Sequence, residues 1–250
     1  SIFSLIKETP NKKALLISHN LAGGVEQYLQ ELIQLEESKI QFICLKGLEG
    51  SQVELSFPGY GKQKMLISSN SYDDLLSVLE FIDIGMVYFN HTLGLPERFF
   101  GIHKDLQCHS MFMIHDYYLI GSNPTLTSVD GYFCEDKITR DDICGRKNPL
   151  PDGVSIELWR KNQLSFLNSI NQILAPSQYA KNIFKDYFPS LKIEVVYHSD
   201  ASFFLKKPQI NFDPIKSNDI VLVLGALSKE KGADLLQNVA LINSKNIFLL

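Results

Sequence analysis

Short apolar runs alternate along this chain with longer stretches in which apolar positions recur every three or four residues. Ala14-Leu15-Leu16-Ile17-Ser18 is the first run, and Gln41–Leu45, Met65–Ile67, Met86–Phe89, Met111–Ile114, Gln172–Ala175 and Lys192–Tyr197 follow it. Such runs, bounded by turn-forming residues, read as strands buried on both faces. Between them, Val25, Tyr28, Leu29, Leu32 and Ile33 form a one-sided stripe with helical spacing, with Glu26 well placed in its first turn. Further helices are predicted around Asp73–Phe81, Pro96–His103 and Ser155–Ser169. Ser177 is positioned to cap a helix that carries Ala180, Ile183, Phe184 and Tyr187. Strand and helix in turn predict βαβ units, a mostly parallel sheet and ligand-binding loops at the strand C-termini.

Two stretches break the pattern. From Asp116 to Asp152 the periodicity disappears, and Asn123-Pro124, Asp130-Gly131, Cys144-Gly145, Asn148-Pro149 and Pro151-Asp152-Gly153 are turn signals. A loop of about 35 residues in a compact domain is expected to be functional or mobile. Lys206 to Asn218, with two prolines and little apolar content, reads as a linker. The expected organisation is an N-terminal unit over 1–205, a linker over 206–218 and the start of a second unit over 219–250. That last piece holds a strand at Val221–Leu224, a glycine-bearing turn through Lys231-Gly232, a helix with Leu235, Leu236, Val239 and Ala240 on one face, and a strand at Ile247–Leu250. One crossover cannot cover both faces of its own sheet, so this second unit is expected to be completed by the rest of its own chain, or else to pack on the first unit or on another subunit.

Composition narrows the class. With 45% hydrophobic and 21% charged residues, 16 Phe and 10 Tyr, the chain is an ordinary globular one. Its net charge of -4, with only Lys12-Lys13 and Lys206-Lys207 as tight cationic pairs, argues against a nucleic-acid partner. No apolar run approaches the ~20 residues that span a bilayer, and Ser1–Ile6 is too short for a secretory leader. Four cysteines in 250 residues fit a reducing compartment better than a disulfide scaffold. Cys44 lies in an apolar run and reads as a buried thiol. Cys134 and Cys144 share a polar loop and are either a disulfide or half of a metal site, without the paired spacing a zinc site requires.

Chemistry is expected where strands end. His115-Asp116 closes Met111–Ile114, and imidazole there can meet a sugar hydroxyl or a leaving oxygen. Asn90-His91 closes the neighbouring strand, so His91 shares the same rim or merely caps a loop. His19 also ends a strand, but Gly23 and Gly24 are the stronger signal, glycines that let a loop approach a ligand. His103 and His109 read as solvated, and His198 faces either the cleft or the hinge. Lys231-Gly232 is the best phosphate candidate, with a cation and a helix N-terminus together. Tyr117-Tyr118 either stack on a sugar or base or belong to the core. Neither a dinucleotide glycine fingerprint nor a P-loop occurs.

Taken in order, "SHNLAGGVEQYLQEL", "VYFNHTLGLPERF", "MIHDYYLIGSNPTL", "ILAPSQYAKNIF" and "LGALSKEKGADLL" resemble the retaining glycosyltransferases of family four, which have the GT-B fold. The resemblance runs from about residue 14 to the end. It is closest to the large transferases of bacterial surface-polysaccharide synthesis, some of which carry cysteines after the His-Asp loop. It implies an α/β chain with a complete Rossmann-like first domain and the opening strand-helix-strand of a second. It implies transfer of a sugar from a nucleotide-diphosphate sugar to a glycan or lipid-linked acceptor, with retention. Metal and cofactor are not expected, and the expected location is cytoplasmic, either free or peripheral on the cytoplasmic face of the inner membrane. Carried over, His115 is the catalytic-centre residue that contacts the donor sugar, and Gly23, Gly24, Lys231 and Gly232 approach the diphosphate. His91, Asp116 and Tyr117 are candidate acceptor or sugar contacts. Two departures stand out. Ala226 occupies a position where the family often has Arg, and the family's paired-glutamate motif would fall beyond Leu250, so the chain alone is expected to be inactive. The rival is a non-catalytic glycan-binding or scaffolding module built on the same fold. A sugar-nucleotide epimerase is a weaker third, since its glycine fingerprint is missing.

Overall fold

The structure, a computed structural model, describes residues 1–48, 50–61, 63–198, 220–223, 227–243 and 247–249. The expected linker over 206–218, and with it Asp219, Gly225, Ala226 and Leu250, lies outside them. In chain order the elements are α1 (Ile2–Glu8), β1 (Lys12–His19), α2 (Gly24–Glu36), β2 (Ile40–Gly47), β3 (Gln52–Ser56), β4 (Lys64–Ser68), α3 (Tyr72–Ile82) and β5 (Met86–Phe89). Then come α4 (Ile102–Asp105), β6 (His109–Met113), the short α5 (Tyr118–Gly121), α6 (Lys137–Thr139) and α7 (Gly145–Lys147), α8 (Ile156–Leu167), β7 (Gln172–Ala175), α9 (Gln178–Tyr187) and β8 (Ile193–Val195). The last three are β9 (Ile220–Leu222), α10 (Ala233–Ile242) and β10 (Ile247–Leu249).

Eight strands form one sheet in the order β4-β3-β2-β1-β5-β6-β7-β8. From β2 to β8 neighbours run parallel, while β3 and β4 add an antiparallel edge. The chain is thus α/β with a mostly parallel, Rossmann-like sheet. Alternate residues of β1 explain its burial. Leu15 and Ile17 point into a large core with Leu75, Leu79, Ile82 and Phe99, whereas Ala14 and Leu16 meet Leu29 and Phe42 under α2. Each fully buried aliphatic side chain of this kind is worth about 1.5–3 kcal/mol. β9 and β10 pair in parallel as a separate two-stranded sheet. Among the described residues, no helix is long and apolar enough to cross a membrane.

The expected helices and strands are found within a few residues, and Ser177 caps α9 through its hydroxyl and the Ala180 amide. Three expectations change. His103, expected in solvent, is 3% exposed: α4 turns it onto Phe89, and its Nε2 bonds Ser169 O at 3.0 Å. Cys134 and Cys144 are disulfide-bonded, so two of the four cysteines are not thiols. The stretch after Asp116 is not without structure. Buried Asn123 donates to Thr127 O and Cys144 O, Thr127 bridges Phe133, and helical turns fill Lys137–Lys147.

Candidate functional site

β1 leads outward to β2 on one side, and the chain later returns to place β5 on the other side of β1. Connections therefore diverge between β1 and β5, and a crevice opens outside their C-terminal ends. His19 ends β1, Asn90-His91 follows β5, and His115-Asp116 follows β6. Strand pairing brings the three sites together across residues far apart in sequence.

Hydrogen bonds fix the state of each ring. The Leu93 amide donates to His91 Nδ1 at 2.9 Å, so the proton of neutral His91 sits on Nε2, which donates to Asp116 Oδ2 at 2.9 Å. Asp116 Oδ1 in turn accepts the Tyr118 amide at 2.9 Å. Both nitrogens of His91 are thereby occupied. His91 and Asp116 are thus braced against each other, and the Asp116 oxygens retain lone pairs that could meet a ligand. The Leu21 amide donates to His19 Nδ1 at 3.1 Å, which leaves the Nε2–H of His19 as a donor. The His19 ring packs on the edge of His91 with centroids 4.5 Å apart.

His115 has the opposite polarity. Asn90 Nδ2 donates to Tyr88 O at 3.2 Å, which turns Asn90 Oδ1 towards His115 Nε2 at 3.1 Å. The proton of His115 is then on Nε2, and Nδ1 has no hydrogen-bond partner among the described residues. Burial, reinforced by the neighbouring His198, pushes the His115 pKa down to about 3. Burial and His91 lower that of His19. Near neutral pH both rings are uncharged, one offering an N–H and the other a lone pair. Such a pair can read a hydroxyl group; it is not a general acid at pH 7.

Tyr28 of α2 closes one side. Its hydroxyl meets that of Tyr88 at 2.9 Å, and its ring lies 4.9 Å from His115 and 4.7 Å from His198. His198 therefore faces this crevice. On the other flank, Lys46 at the end of β2 pairs with Glu26 at 2.6 Å. Ser18 Oγ and Thr92 Oγ1 are buried without a partner among the described residues, residual polarity of the kind that calls for an explanation.

The remaining expected residues are placed as follows. Gly23 is the N-cap of α2 with φ of 137°, a conformation that favours glycine, and both Gly23 and Gly24 are exposed with open space beside them. Tyr117 packs towards Phe184 and the core, while Tyr118 lies against His91 and Trp159. Lys231 closes the one-turn helix Lys229–Lys231, and Gly232, with φ of 83°, leads into α10. Among the described residues no hydrogen bond or ion pair joins Lys231 or Gly232 to the histidines. Tyr28 is the member that the sequence places only in a helical stripe, whereas His19, Asn90 and His198 are strand-end residues to which the sequence already points. Compared with known proteins, the chain matches no family model and no curated protein.

Proposed function

We propose that this chain supplies the acceptor-side unit, and the opening of the donor-side unit, of a retaining glycosyltransferase of GT-B type. The reaction moves a sugar from a nucleotide-diphosphate sugar to a glycan or lipid-linked acceptor in surface-polysaccharide synthesis. The observation that carries this reading is that His19 and His115, both uncharged near neutral pH, follow β1 and β6 on either side of β5 at one edge of the parallel sheet. His115 Nδ1 accepts a hydroxyl of the sugar and fixes the ring. His19 donates to a neighbouring oxygen. Lys231 offsets the charge that grows on the departing diphosphate, where a fixed cation lowers the barrier most. The Asp116–His91 brace keeps the rim rigid, so that these groups need no reorganisation.

The test is sugar transfer by the natural protein carrying this sequence. His115→Ala should lower kcat by roughly 10²-fold, the scale of one lost transition-state contact, with the fold retained. Undiminished transfer would sink the assignment. Ala226 favours the second reading, a non-catalytic glycan-binding or scaffolding module, because a cation is missing there. Under it, glycan binds, but no nucleotide sugar is consumed by the natural protein.

A further inference from the structure

The stretch from Asn123 to Lys147 reaches the second unit. Gly131 lies against the Lys229 side chain so closely that a Cβ on it would stand 2.7 Å from Lys229 Cγ. Lys147 bonds Thr127 Oγ1 at 2.8 Å and forms an ion pair with Glu230. These two contacts grip successive residues of the Lys229–Lys231 turn from opposite ends of one strap. An exposed ion pair on a floppy loop would hold little. This strap is not floppy. The Cys134–Cys144 bond closes its middle, and both sulfurs are buried. Arg140, 7% exposed, donates to Cys134 O at 2.8 Å and to Glu135 O. Asn123 donates to Thr127 O at 2.9 Å and Cys144 O at 2.8 Å, which ties the strap's two ends to its base.

We infer that this stapled strap is a clamp that positions the Ser228–Gly232 turn. The staple limits the conformations open to residues 134–144, so Gly131 and Lys147 are held at the spacing that the turn requires. Of the turn's charged triplet, Lys229 and Glu230 are engaged, while Lys231 is exposed and makes no ion pair among the described residues. On the transferase reading, Gly131 and Lys147 are therefore positioning residues for Lys231. The clamp itself stands without that reading.

Carbodiimide coupling joins an amine to a carboxylate where the two already form an ion pair, and it requires no nucleotide. Peptide mass spectrometry of the treated chain should find a Lys147–Glu230 link, with a Lys46–Glu26 link as an internal standard in the first sheet. Cys134→Ser with Cys144→Ser should reduce the first link at least fivefold relative to the second. Gly131→Ala, with the staple intact, should reduce it at least twofold by crowding Lys229 and by straining a backbone with φ of 86°. The exchange Lys147→Glu with Glu230→Lys should restore a link that either change alone abolishes. If the cysteine variant loses both links it has unfolded, and Gly131→Ala then decides. The clamp is refuted if the Lys147–Glu230 link is absent from the unaltered chain, or if it survives undiminished in the folded variants. Because no sugar or nucleotide enters this readout, a negative result leaves the transferase reading standing, and the converse holds.

Discussion

At the residue scale, His115 carries two functions of one side chain: it is held neutral by burial and held in one tautomer by Asn90. The stability consequence has a definite sign. A histidine whose folded pKa lies below its unfolded value of about 6.5 contributes stability above that pH and loses it as pH falls towards the folded value. Acidification from pH 7 to pH 5 should therefore destabilise the protein, by at most about 2 kcal/mol from His115. His115→Asn should flatten this dependence in denaturant titrations at the two pH values; an unchanged slope would contradict it. Tyr28 and Tyr88 offer a second check. Tyr28→Phe leaves the buried Tyr88 hydroxyl without its partner, at a cost of about 1–2 kcal/mol by chemical denaturation. The presence of histidines at three strand ends was legible from sequence. Their polarity was not, since it depends on amides such as Leu21 and Leu93 and on Asn90, which bonds His115 from 25 positions away.

At the element scale, the loop after β5 holds His91 through Leu93, and that loop rests on the end of β2. Gly47 and Gly94 meet backbone to backbone. A Cβ on Gly47 would lie 2.5 Å from the Gly94 carbonyl carbon, and Gly94 itself has φ of 74°. Gly47→Ala must push the Leu93–Leu95 segment away, with an overpacking cost of about 1–3 kcal/mol. It should also broaden or shift the His91 ring signals in an NMR spectrum, whereas unaltered signals would show the contact to be dispensable. Strand β7 was readable to the residue as Gln172–Ala175 because its apolar run is unbroken. β3 was not: its Val53, Glu54, Leu55, Ser56 alternation is brief and lies between turns, and its pairing with β2 is antiparallel. The burial of His103 is not legible from its neighbours, because it rests on Phe89 and on Ser169 O from a segment 66 residues away.

At the scale of the whole molecule, the sheet order is what makes a site. With β5 beside β1, the divergence of connections falls where His19, His91 and His115 end their strands. Alternation of strands and helices predicted the parallel sheet, but not which strand would be its neighbour at the crevice. The segment from β9 to β10 is held differently. Leu235, Leu241 and Ile242 of α10 are exposed, and among the described residues Gly131 and Lys147 of the strap touch Lys229 and Glu230. Spacing alone did not decide between a disulfide and a metal for Cys134 and Cys144; the packing of Arg140 and Asn123 around the strap gives the staple its setting. The central claim, that this crevice serves sugar transfer from a nucleotide donor, is tested most directly by calorimetric titration. UDP, GDP, dTDP and their sugars would be titrated into the natural protein carrying this sequence, with Lys231→Ala and His115→Ala as companions. Saturable binding of one nucleotide class is expected, weakened by about tenfold or more in Lys231→Ala, the equivalent of about 1.4 kcal/mol. His115→Ala should spare binding of the free nucleotide but weaken that of its sugar conjugate. A folded protein that binds none of them would rule out a nucleotide-sugar site in this crevice.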